Sequence, residues 1–265
     1  MKPPNPQKTP TRLADLAGHR ALVTGASGNI GAAIAQRLAE AGADVVIHYH
    51  SNAKAARALE AELKASGVRT LCAQADLSQA AGADTLFKAI DASGDIVDLV
   101  VNNAANQAVQ PLAAMSLADW QQVMAANLDS AFAVTQRAAK RLQRAQCTGA
   151  IVNIASIEGF DPATGHAHYS SSKAGMLMLT KAAALEYGSA GIRVNAVSPG
   201  LIDRDGLKKD WPEGVASWLS KAPLGRMGTA EDVADAVLFL LSPAARWISG
   251  ANLVVDGGMS TVSRW

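Results

Sequence analysis

The feature that most restricts the fold of this chain is a regular alternation of short β-rich runs with helical patterns. Seven such runs occur, and the stretches between them carry apolar residues at three- and four-residue spacings. The runs are RALVT, DVVIH, RTLCAQA, DIVDLVVNN, GAIVNIAS, GIRVNAVS and NLVVDGG. Helices are predicted at about 29–41, 52–66, 79–92 and 117–145. Strands that alternate with helices specify a parallel sheet covered on both faces.

Several of these runs are almost entirely apolar, as expected for strands that are buried on both faces of a sheet. Parallel crossovers are right-handed, which favours a doubly wound Rossmann fold with a seven-stranded parallel sheet. The ligand site of such a fold lies at the carboxyl ends of the strands. A single α/β domain is therefore predicted over residues 15–265.

The composition excludes several classes of function. A net charge of +1 over 265 residues provides no strong field for nucleic acid or a membrane surface. Two cysteines, Cys72 and Cys147, are too few for a disulfide framework and indicate a reducing, cytoplasmic location. No apolar run is long enough to span a membrane, and the Pro-rich residues 1–14 are predicted to be a disordered lead-in. The expected partner is a small molecule, without a metal ion.

A glycine-rich turn, TGASGNIG, follows the first predicted strand. Its Gly25, Gly28 and Gly31 precede or begin a helix. Glycines allow a tight turn and a close backbone approach to a phosphate, and a helix N-terminus supplies free N–H groups. A turn that only packs a helix on a strand is the alternative, but its position at the start of the fold favours nucleotide binding.

The stretch HAHYSSSKAG places a phenol and an ammonium four positions apart. Tyr169 and Lys173 begin a helical pattern that continues to about residue 188, so they share one helical face. A nearby cation lowers the pKa of a phenol, and this spacing therefore suits a tyrosine that acts as acid and base. An ordinary surface pair is the alternative that this fragment alone leaves open.

Together these motifs resemble the short-chain dehydrogenase/reductase family over about residues 15–260. TGASGNIG matches the cofactor loop of the family, and NNAA at 102–105 matches its NNAG signature. The catalytic set corresponds to Asn127, Ser156, Tyr169 and Lys173. Two later motifs of the family match PG at 199–200 and VVDGG at 254–258. Several ordered motifs that agree in one chain weigh against a surface role for the Tyr–Lys pair.

The resemblance implies an oxidoreductase that interconverts a ketone and a secondary alcohol by hydride transfer with a nicotinamide cofactor. Tyr169 would donate the proton to the developing alkoxide, and Ser156 would donate a hydrogen bond to the same oxygen. Lys173 would lower the pKa of the tyrosine and bind the nicotinamide ribose. Asn127 would hold a water that connects Lys173 to solvent, with a solvent-facing polar residue as the alternative.

The resemblance also implies cofactor contacts at the ends of several strands. They are Gly25, Ser27, Asn29, Ile30, Tyr49, His50, Ser51, Asn52, Asp76, Leu77, Asn103, Ala104, Tyr169, Lys173, Pro199, Gly200 and Ile202. Asn29 replaces a family glycine, and the turn is expected to survive because Asn is the residue after Gly that best tolerates left-handed backbone angles. Asp76 would contact the adenine, with capping chemistry as the alternative. Ala105 replaces the last glycine of the NNAG signature. Arg204 stands where many family members have a threonine near the nicotinamide.

The end of the second strand predicts which nicotinamide cofactor is preferred. An acidic residue there binds the free ribose hydroxyls and repels a 2′-phosphate. This position falls on Tyr49, and residues 50–52 could donate to a phosphate with Lys54 nearby. NADP(H) is therefore expected, with NAD(H) less favoured, although Gly28 stands where many NADP-dependent members have a basic residue.

The segment 202–228 interrupts the alternation of strands and helices. It contains Trp211 and Trp218 on either side of a Pro-Glu-Gly break, which predicts a hinged pair of short helices. The family's substrate lid lies there, and burial of both indoles in a subunit interface is the alternative. The resemblance further implies a homotetramer, built through the helices at about 117–145 and 168–188 and through the C-terminal GANLVVDGGMS region.

The leading interpretation is an enzyme that acts on a 3-oxoacyl, sugar or general carbonyl substrate. HYHSN and AQADLS are similar to stretches of the pteridine reductases, but those enzymes generally have an aspartate in place of Ser156. A nucleotide-sensing regulator without turnover is another alternative, which the intact catalytic set argues against. His166 and His168 flank Tyr169, but no group that would orient an imidazole is evident, so they are expected to line the cleft.

Overall fold

The computed structural model describes residues 14–262, which contain one sheet of seven parallel strands. The strands are β1 (Arg20–Val23), β2 (Asp44–Tyr49), β3 (Thr70–Gln74), β4 (Leu99–Asn102), β5 (Gly149–Ile154), β6 (Ile192–Pro199) and β7 (Asn252–Val255). Their order in the sheet is β3-β2-β1-β4-β5-β6-β7. The predicted single-domain Rossmann fold is confirmed. The predicted lead-in lies outside the described residues, except for its last residue.

Nine α-helices connect and cover the strands over the same range of residues. They are α1 (Asn29–Glu40), α2 (Ala53–Ala65), α3 (Gly82–Asp91), α4 (Leu117–Met124), α5 (Ser130–Ala145), α6 (Ala167–Tyr187), α7 (Leu207–Asp210), α8 (Pro212–Lys221) and α9 (Ala230–Leu241). A π-helical turn, Ala125–Asp129, joins α4 to α5 within the predicted 117–145 helix. None of the helices between residues 14 and 262 has the length and apolar character needed to cross a membrane.

Two hydrophobic clusters show how the helices cover the sheet. On one face α1, α2 and α9 pack against the strands, and on the other face α3, α5 and part of α6 do so. Side chains of β1 alternate between the clusters, with Ala21 and Val23 in the first and Leu22 in the second. Both faces of the sheet are therefore apolar, which explains the continuous apolar runs in the sequence.

The sheet order creates a crevice between β1 and β4. The chain proceeds from β1 outward to β3, then returns to β4 and continues outward to β7. Ligands of open α/β folds bind at this reversal, beyond the carboxyl ends of the strands. Thr24 closes the crevice at its base, because its hydroxyl accepts hydrogen bonds from the backbone N–H groups of Asn103 (2.9 Å) and Ala104 (3.0 Å).

Candidate active site

Two glycines of the loop between β1 and α1 are required by the geometry. Gly25 has a φ of +65°, and a Cβ there would lie 2.9 Å from Ala104 Cα. A Cβ on Gly31 would lie 2.7 Å from the side-chain nitrogen of Asn103. Gly28 differs, because its φ is −96° and the nearest atom to a Cβ would be 3.5 Å away. The loop therefore needs glycine at both ends but not at Gly28.

Asn29 does not use the left-handed backbone that Asn tolerates. Among the described residues only Gln146 and glycines have a positive φ, and Asn29 is the first residue of α1. Its side-chain nitrogen instead donates to the carbonyl of Asp203 (2.8 Å), at the start of the 202–228 segment. The N-terminus of α1 has no side-chain cap and no acidic residue in its first turn. Its free N–H groups and positive dipole end are suited to an anionic ligand.

His48, which the sequence did not single out, holds the glycine loop from β2. The backbone N–H of Gly25 donates to its Nδ1 (3.0 Å), and its Nε2 lies 3.1 Å from a carbonyl that follows β3. Because Nδ1 accepts, the proton must be on Nε2. Burial lowers the pKa of His48 to about 4, so the ring is neutral. The sequence signal for this role of His48 is a histidine near the end of an otherwise apolar strand.

Ser156, Tyr169 and Lys173 come together at the carboxyl end of β5. The Ser156 hydroxyl accepts a hydrogen bond from the backbone N–H of Glu158 (3.1 Å) and is near enough to the Tyr169 phenol to favour a lower pKa of that phenol. The Lys173 ammonium lies 5.5 Å from the centre of the Tyr169 ring and donates to the carbonyl of Ile154 (2.7 Å). Each of the three side chains is at most 8% exposed, which excludes an ordinary surface pair. The structure thus assembles these three predicted catalytic residues in one buried cluster.

Burial disfavours both charges of the Tyr–Lys pair. It raises the pKa of Tyr169 to about 12, an effect that the Glu158 carboxylate strengthens and the Ser156 hydroxyl opposes. Burial also lowers the pKa of Lys173 to about 8. The net shift of the Tyr169 pKa is upward because lost hydration dominates, and the role of Lys173 in lowering that pKa stays a prediction. The phenol is protonated at neutral pH.

Asn127 lies in the π-turn and is fully buried, which excludes the solvent-facing alternative. Its side-chain oxygen accepts from the backbone N–H of Asn106 (2.7 Å). Its side-chain nitrogen donates to the carbonyl of Asn106 (3.0 Å) and the hydroxyl of Ser172 (2.9 Å). Asn127 therefore joins the loop after β4 to α6, one residue before Lys173. Its role in holding a water stays a prediction.

A carboxylate and an imidazole that the sequence did not connect form a pair beside the tyrosine. Nδ1 of His166 lies 2.9 and 3.0 Å from the two oxygens of Glu158, and the Ser170 hydroxyl donates to the same carboxylate (3.2 Å). The His166 and Tyr169 rings meet edge to face with centres 5.8 Å apart. Glu158 is thus the orienting group that the sequence did not reveal. His168 is fully buried, so its predicted place in the cleft is wrong.

The predicted contacts at the end of β2 fall into two groups. The Tyr49 side chain is only 6% exposed and belongs to the hydrophobic cluster under α1 and α2, so it does not line the cleft as expected. Residues 50–52 are exposed. The side-chain oxygen of Asn52 caps α2 by accepting from the N–H of Ala55 (3.1 Å). Exposed donors therefore follow β2, whereas the aromatic ring faces the core.

Asp76 and Leu77 follow β3 and shape the turn before α3. The Asp76 carboxylate accepts from the backbone N–H (3.0 Å) and the hydroxyl (2.6 Å) of Ser78. Its other oxygen lies 3.8 Å from the His50 ring. Leu77 is buried. The capping interaction of Asp76, which is the alternative to an adenine contact, is therefore present in the structure. The adenine contact itself stays a prediction.

The remaining predicted contacts lie at the carboxyl ends of β1, β4 and β6. The Asn103 side chain donates to the carbonyls of Thr24 (2.9 Å) and Gly25 (3.2 Å), which joins β4 to the glycine loop. Within that loop and the start of α1, two predicted contacts are partly buried: Ser27 and Ile30. The other three lie at the end of β6 and just after it: Pro199 is the last residue of the strand, Gly200 follows it, and Ile202 is paired with Gly228 in an isolated β-bridge.

The segment 202–228 contains the predicted pair of short helices, α7 and α8, which Trp211 separates. Trp218 packs with Leu201, Leu207, Val215 and Met227, and its indole N–H donates to the carbonyl of Arg226 (3.2 Å). A Cβ on Gly200 would lie 2.6 Å from the Trp218 ring. Trp218 therefore packs this segment against the end of β6. The Arg204 side chain donates to the Asp210 carboxylate (3.1 Å).

Comparisons with known proteins identify the family. A family model described as enoyl-(acyl carrier protein) reductase matches residues 25–260. A 3β-hydroxysteroid dehydrogenase of Eggerthella lenta is 38% identical over 93% of this chain and 95% of its own length. The chain belongs to the short-chain dehydrogenase/reductase family. It is accordingly an oxidoreductase, as the resemblance of its motifs predicted.

Two further relatives agree with this assignment. A 3-oxoacyl-(acyl carrier protein) reductase of Synechocystis sp. is 40% identical over 93% of this chain and 99% of its own length. The crystal structure of a short-chain type dehydrogenase/reductase from Mycobacterium marinum aligns with a TM-score of 0.88 and 34% identity, over 94% of this chain and 98% of that chain. The family's fold therefore extends over almost the whole chain.

Proposed function

We propose that this protein is an NADP(H)-dependent enzyme that interconverts a ketone and a secondary alcohol, with Tyr169 as the acid and base. The observation that carries the proposal is the buried Tyr169 phenol in one cluster with Ser156, with the Lys173 ammonium 5.5 Å from its ring. When bound, the nicotinamide exchanges a hydride with the carbonyl carbon. The chain's own residues supply the proton and orient the reacting oxygen.

In the reducing direction, the protonated Tyr169 donates its proton to the carbonyl oxygen as the hydride adds to carbon. The Ser156 hydroxyl donates a second hydrogen bond to the same oxygen, so two preorganised donors stabilise the charge that develops there. Lys173 then stabilises the phenolate by its proximity, until a proton from solvent restores the phenol. Oxidation of the alcohol reverses these steps and requires the phenolate at the start.

Several features of the chain fit a dinucleotide. The close approach of Gly25 and Gly31 to the residues that follow β4 leaves a backbone cradle, and the uncapped N-terminus of α1 favours a pyrophosphate. The first turn of α2 has no acidic residue that would repel a 2′-phosphate. Because Tyr49 faces the core, we assign the choice between NADP(H) and NAD(H) to the exposed residues 50–52 and Lys54.

The cofactor preference is testable by steady-state kinetics. Wild-type kcat/KM should be at least about tenfold higher with NADPH than with NADH, since the exposed donors favour the phosphate. Ser51→Asp should reverse this preference by repelling the phosphate, whereas the matched Ser51→Ala should keep its direction. Equal or better efficiency of the wild type with NADH would refute the NADP(H) assignment.

The role of Tyr169 is tested by Tyr169→Phe, which removes only the hydroxyl. Turnover should fall at least ~10²-fold, because general acid catalysis contributes ~10²–10⁴-fold. Cofactor affinity, measured by fluorescence titration, should stay within about twofold of the wild type. A variant that retains a third of the wild-type turnover would contradict the proposal.

The substrate class is open between 3-oxoacyl, sugar and general carbonyl compounds. The relatives named above act, by name, on 3β-hydroxysteroids and on 3-oxoacyl groups carried by a protein. A pteridine-type substrate is less well supported, because Ser156 stands where those reductases generally have an aspartate. A regulator without turnover is the remaining alternative, and cofactor oxidation with a panel of carbonyls would exclude it.

A lid role for residues 202–228 and assembly as a homotetramer complete the proposal. Large apolar side chains on the outer surfaces of α5 and α6 are exposed, among them Phe132, Met178 and Leu185, which supports association through these helices. Tryptophan fluorescence should change when substrate joins the enzyme–cofactor complex. Light scattering should give the mass of four chains, and a monomer would contradict this assembly. A cytoplasmic location stays a prediction from the cysteine content.

A further inference from the structure

The Glu158–His166 pair has one polar atom without a partner. Nδ1 of His166 is held by both carboxylate oxygens of Glu158, whereas Nε2 makes no hydrogen bond within residues 14–262. The side chains of His166 and Glu158 are 14% and 15% exposed. Nε2 is not among the fully enclosed unpaired atoms of the described chain, so it retains contact with solvent. The pair is mostly buried, yet one hydrogen-bonding atom is open to a ligand.

This open atom belongs to a ring that contacts the proposed catalytic tyrosine. His166 is the residue before α6, and its ring meets the Tyr169 ring edge to face at 5.8 Å. The preceding Gly165, with a φ of +80°, accepts a hydrogen bond through its carbonyl from the N–H of Gln110 (2.8 Å). The loop that carries His166 is thus held against the loop after β4. The imidazole has a fixed position at the edge of the cleft.

The hydrogen bond to Glu158 determines what this imidazole offers. A carboxylate accepts but does not donate, so the proton between the two groups resides on Nδ1 of His166. In the neutral ring Nε2 then carries a lone pair, which accepts a hydrogen bond from a hydroxyl group. Protonation would turn Nε2 into a donor, which a hydroxyl oxygen can accept. A hydroxyl therefore suits the site in either state, whereas a methyl group would leave Nε2 without a partner.

We propose that Glu158 and His166 form a hydroxyl-binding site beside the reacting carbon, so that the preferred substrates are hydroxy ketones of the sugar-like class and their alcohols. This inference rests on the proposed function, in which the carbonyl lies at Tyr169 and Ser156. The ring-to-ring distance of 5.8 Å places His166 within reach of a substituent on a carbon next to the carbonyl. His166 is thus a specificity-determining residue, and Tyr169 remains the acid and base.

A matched set of small ketones tests the proposal in the full-length enzyme with NADPH and with NADH. Acetone, hydroxyacetone and dihydroxyacetone differ only in the number of hydroxyl groups. The wild-type kcat/KM should rise at least about tenfold from acetone to hydroxyacetone, because a site that hydrogen-bonds a hydroxyl discriminates against its absence. Equal efficiency with all three ketones would overturn the inference and leave the proposed function intact. No turnover of any ketone would instead count against the proposed function.

Variants of the pair distinguish recognition from structural support. His166→Phe retains an aromatic ring against Tyr169 but cannot hydrogen-bond, so the hydroxyacetone-to-acetone ratio should fall to about one, mainly through a higher KM for hydroxyacetone. The loss of kcat/KM should be larger for hydroxyacetone than for acetone. Equal losses with both ketones would show a structural role and overturn the inference.

Two additional variants serve as a second test and as a control. Glu158→Ala removes the group that holds Nδ1 of His166, so the imidazole loses its fixed position and the same ratio should fall even if His166→Phe fails to fold. His19→Phe alters another histidine–carboxylate pair, His19–Asp98, which precedes β1 and β4 at the opposite end of the sheet. This control should leave the ratio unchanged. A ratio that is unaffected by Glu158→Ala would overturn the proposal.

Discussion

Two hydrogen-bonded histidine–carboxylate pairs, His19–Asp98 and His166–Glu158, lie at opposite ends of one sheet and differ in environment. At the amino ends of β1 and β4, Nδ1 of His19 lies 2.6 Å from Asp98, and these side chains are 41% and 22% exposed. At the carboxyl end of β5, His166 and Glu158 are 14% and 15% exposed. The same pair of functional groups is thus hydrated at one end and shielded at the other. Only the shielded pair lies beside groups that can do chemistry.

Other charged groups at the two ends of the sheet differ in exposure in the same way. At the amino end, Arg69 pairs with both Asp44 (2.6 Å) and Asp95 (2.7 Å) on the surface. At the carboxyl end, Lys173 is buried with a single carbonyl as its hydrogen-bond partner, and α1 begins without a cap. Exposed pairs contribute little to stability but cost little, whereas a buried ammonium opposes folding. The groups that form the candidate site at the carboxyl end therefore lower the stability of the fold.

Lys173→Met should produce the largest effect predicted from this contrast. It should decrease turnover more than about 100-fold and weaken cofactor binding, because the charge beside Tyr169 is lost. At pH 7 it should also raise the free energy of unfolding, on the order of 1–3 kcal/mol, because a desolvated ammonium is removed. Loss of the hydrogen bond to Ile154 offsets part of that gain. Urea unfolding and fluorescence titration measure the two effects.

The pH dependence gives the sign of this stability effect. Burial lowers the folded-state pKa of Lys173 to about 8 from 10.5, so the unfolded chain binds the proton more tightly between these values. Wild-type stability should therefore rise relative to Lys173→Met as the pH increases from 8 to 10.5. Lys88→Met, which removes an exposed ammonium on α3, should change the free energy of unfolding by less than about 0.5 kcal/mol. A destabilised Lys173→Met enzyme at pH 7 would contradict the argument.

The sequence predicted the order of elements well because hydrophobic period and glycine turns are local signals. Their boundaries were less predictable. DIVDLVVNN suggested a nine-residue strand, but β4 contains only Leu99–Asn102, since the Asp98 side chain bonds to His19 and to the backbone of Arg20. The helix expected at 79–92 begins at Gly82, because the turn that Asp76 forms with Ser78 occupies the preceding residues.

The site was predictable where its residues are close in sequence and not where they meet through the fold. Tyr169 and Lys173 are one helical turn apart, so their spacing alone indicated a shared face. Glu158 reaches His166 across a loop that has no periodic pattern. Both faces of β2 are buried, so the apolar run could not show that Tyr49 enters the core cluster while His48 supports the glycine loop.

Glu158→Gln should have an intermediate effect, on pH dependence more than on maximal rate. The Glu158 carboxylate contributes to the raised pKa of Tyr169, so its neutralisation should lower that pKa. Alcohol oxidation requires the phenolate, and its rate should therefore increase at a lower pH than in the wild type. The reduction rate should begin to decline at a correspondingly lower pH. The measurement is kcat/KM against pH in both directions.

The control for this pH shift is Glu186→Gln, which neutralises an exposed carboxylate at the other end of α6. Its profile should coincide with that of the wild type. A shift of the Glu158→Gln profile to higher pH would contradict the assigned influence of the carboxylate. An equal shift in both variants would attribute the effect to the general field of the protein and not to the Glu158–His166 pair.

Asp98→Asn should have the smallest effect and should act on stability alone. The hydrogen bond to Asp98 raises the pKa of His19 above its ordinary 6.5, so the pair stabilises the fold below that value and the contribution is lost as pH rises through the folded pKa. Because His19 is partly exposed, the loss should be less than about 1 kcal/mol at acidic pH and smaller under alkaline conditions. Urea unfolding at the two pH values measures it. Asparagine can still accept from the backbone of Arg20, which isolates the charge effect. A change in kcat/KM of more than about twofold would show that the amino end influences the site and would remove the contrast between the two ends.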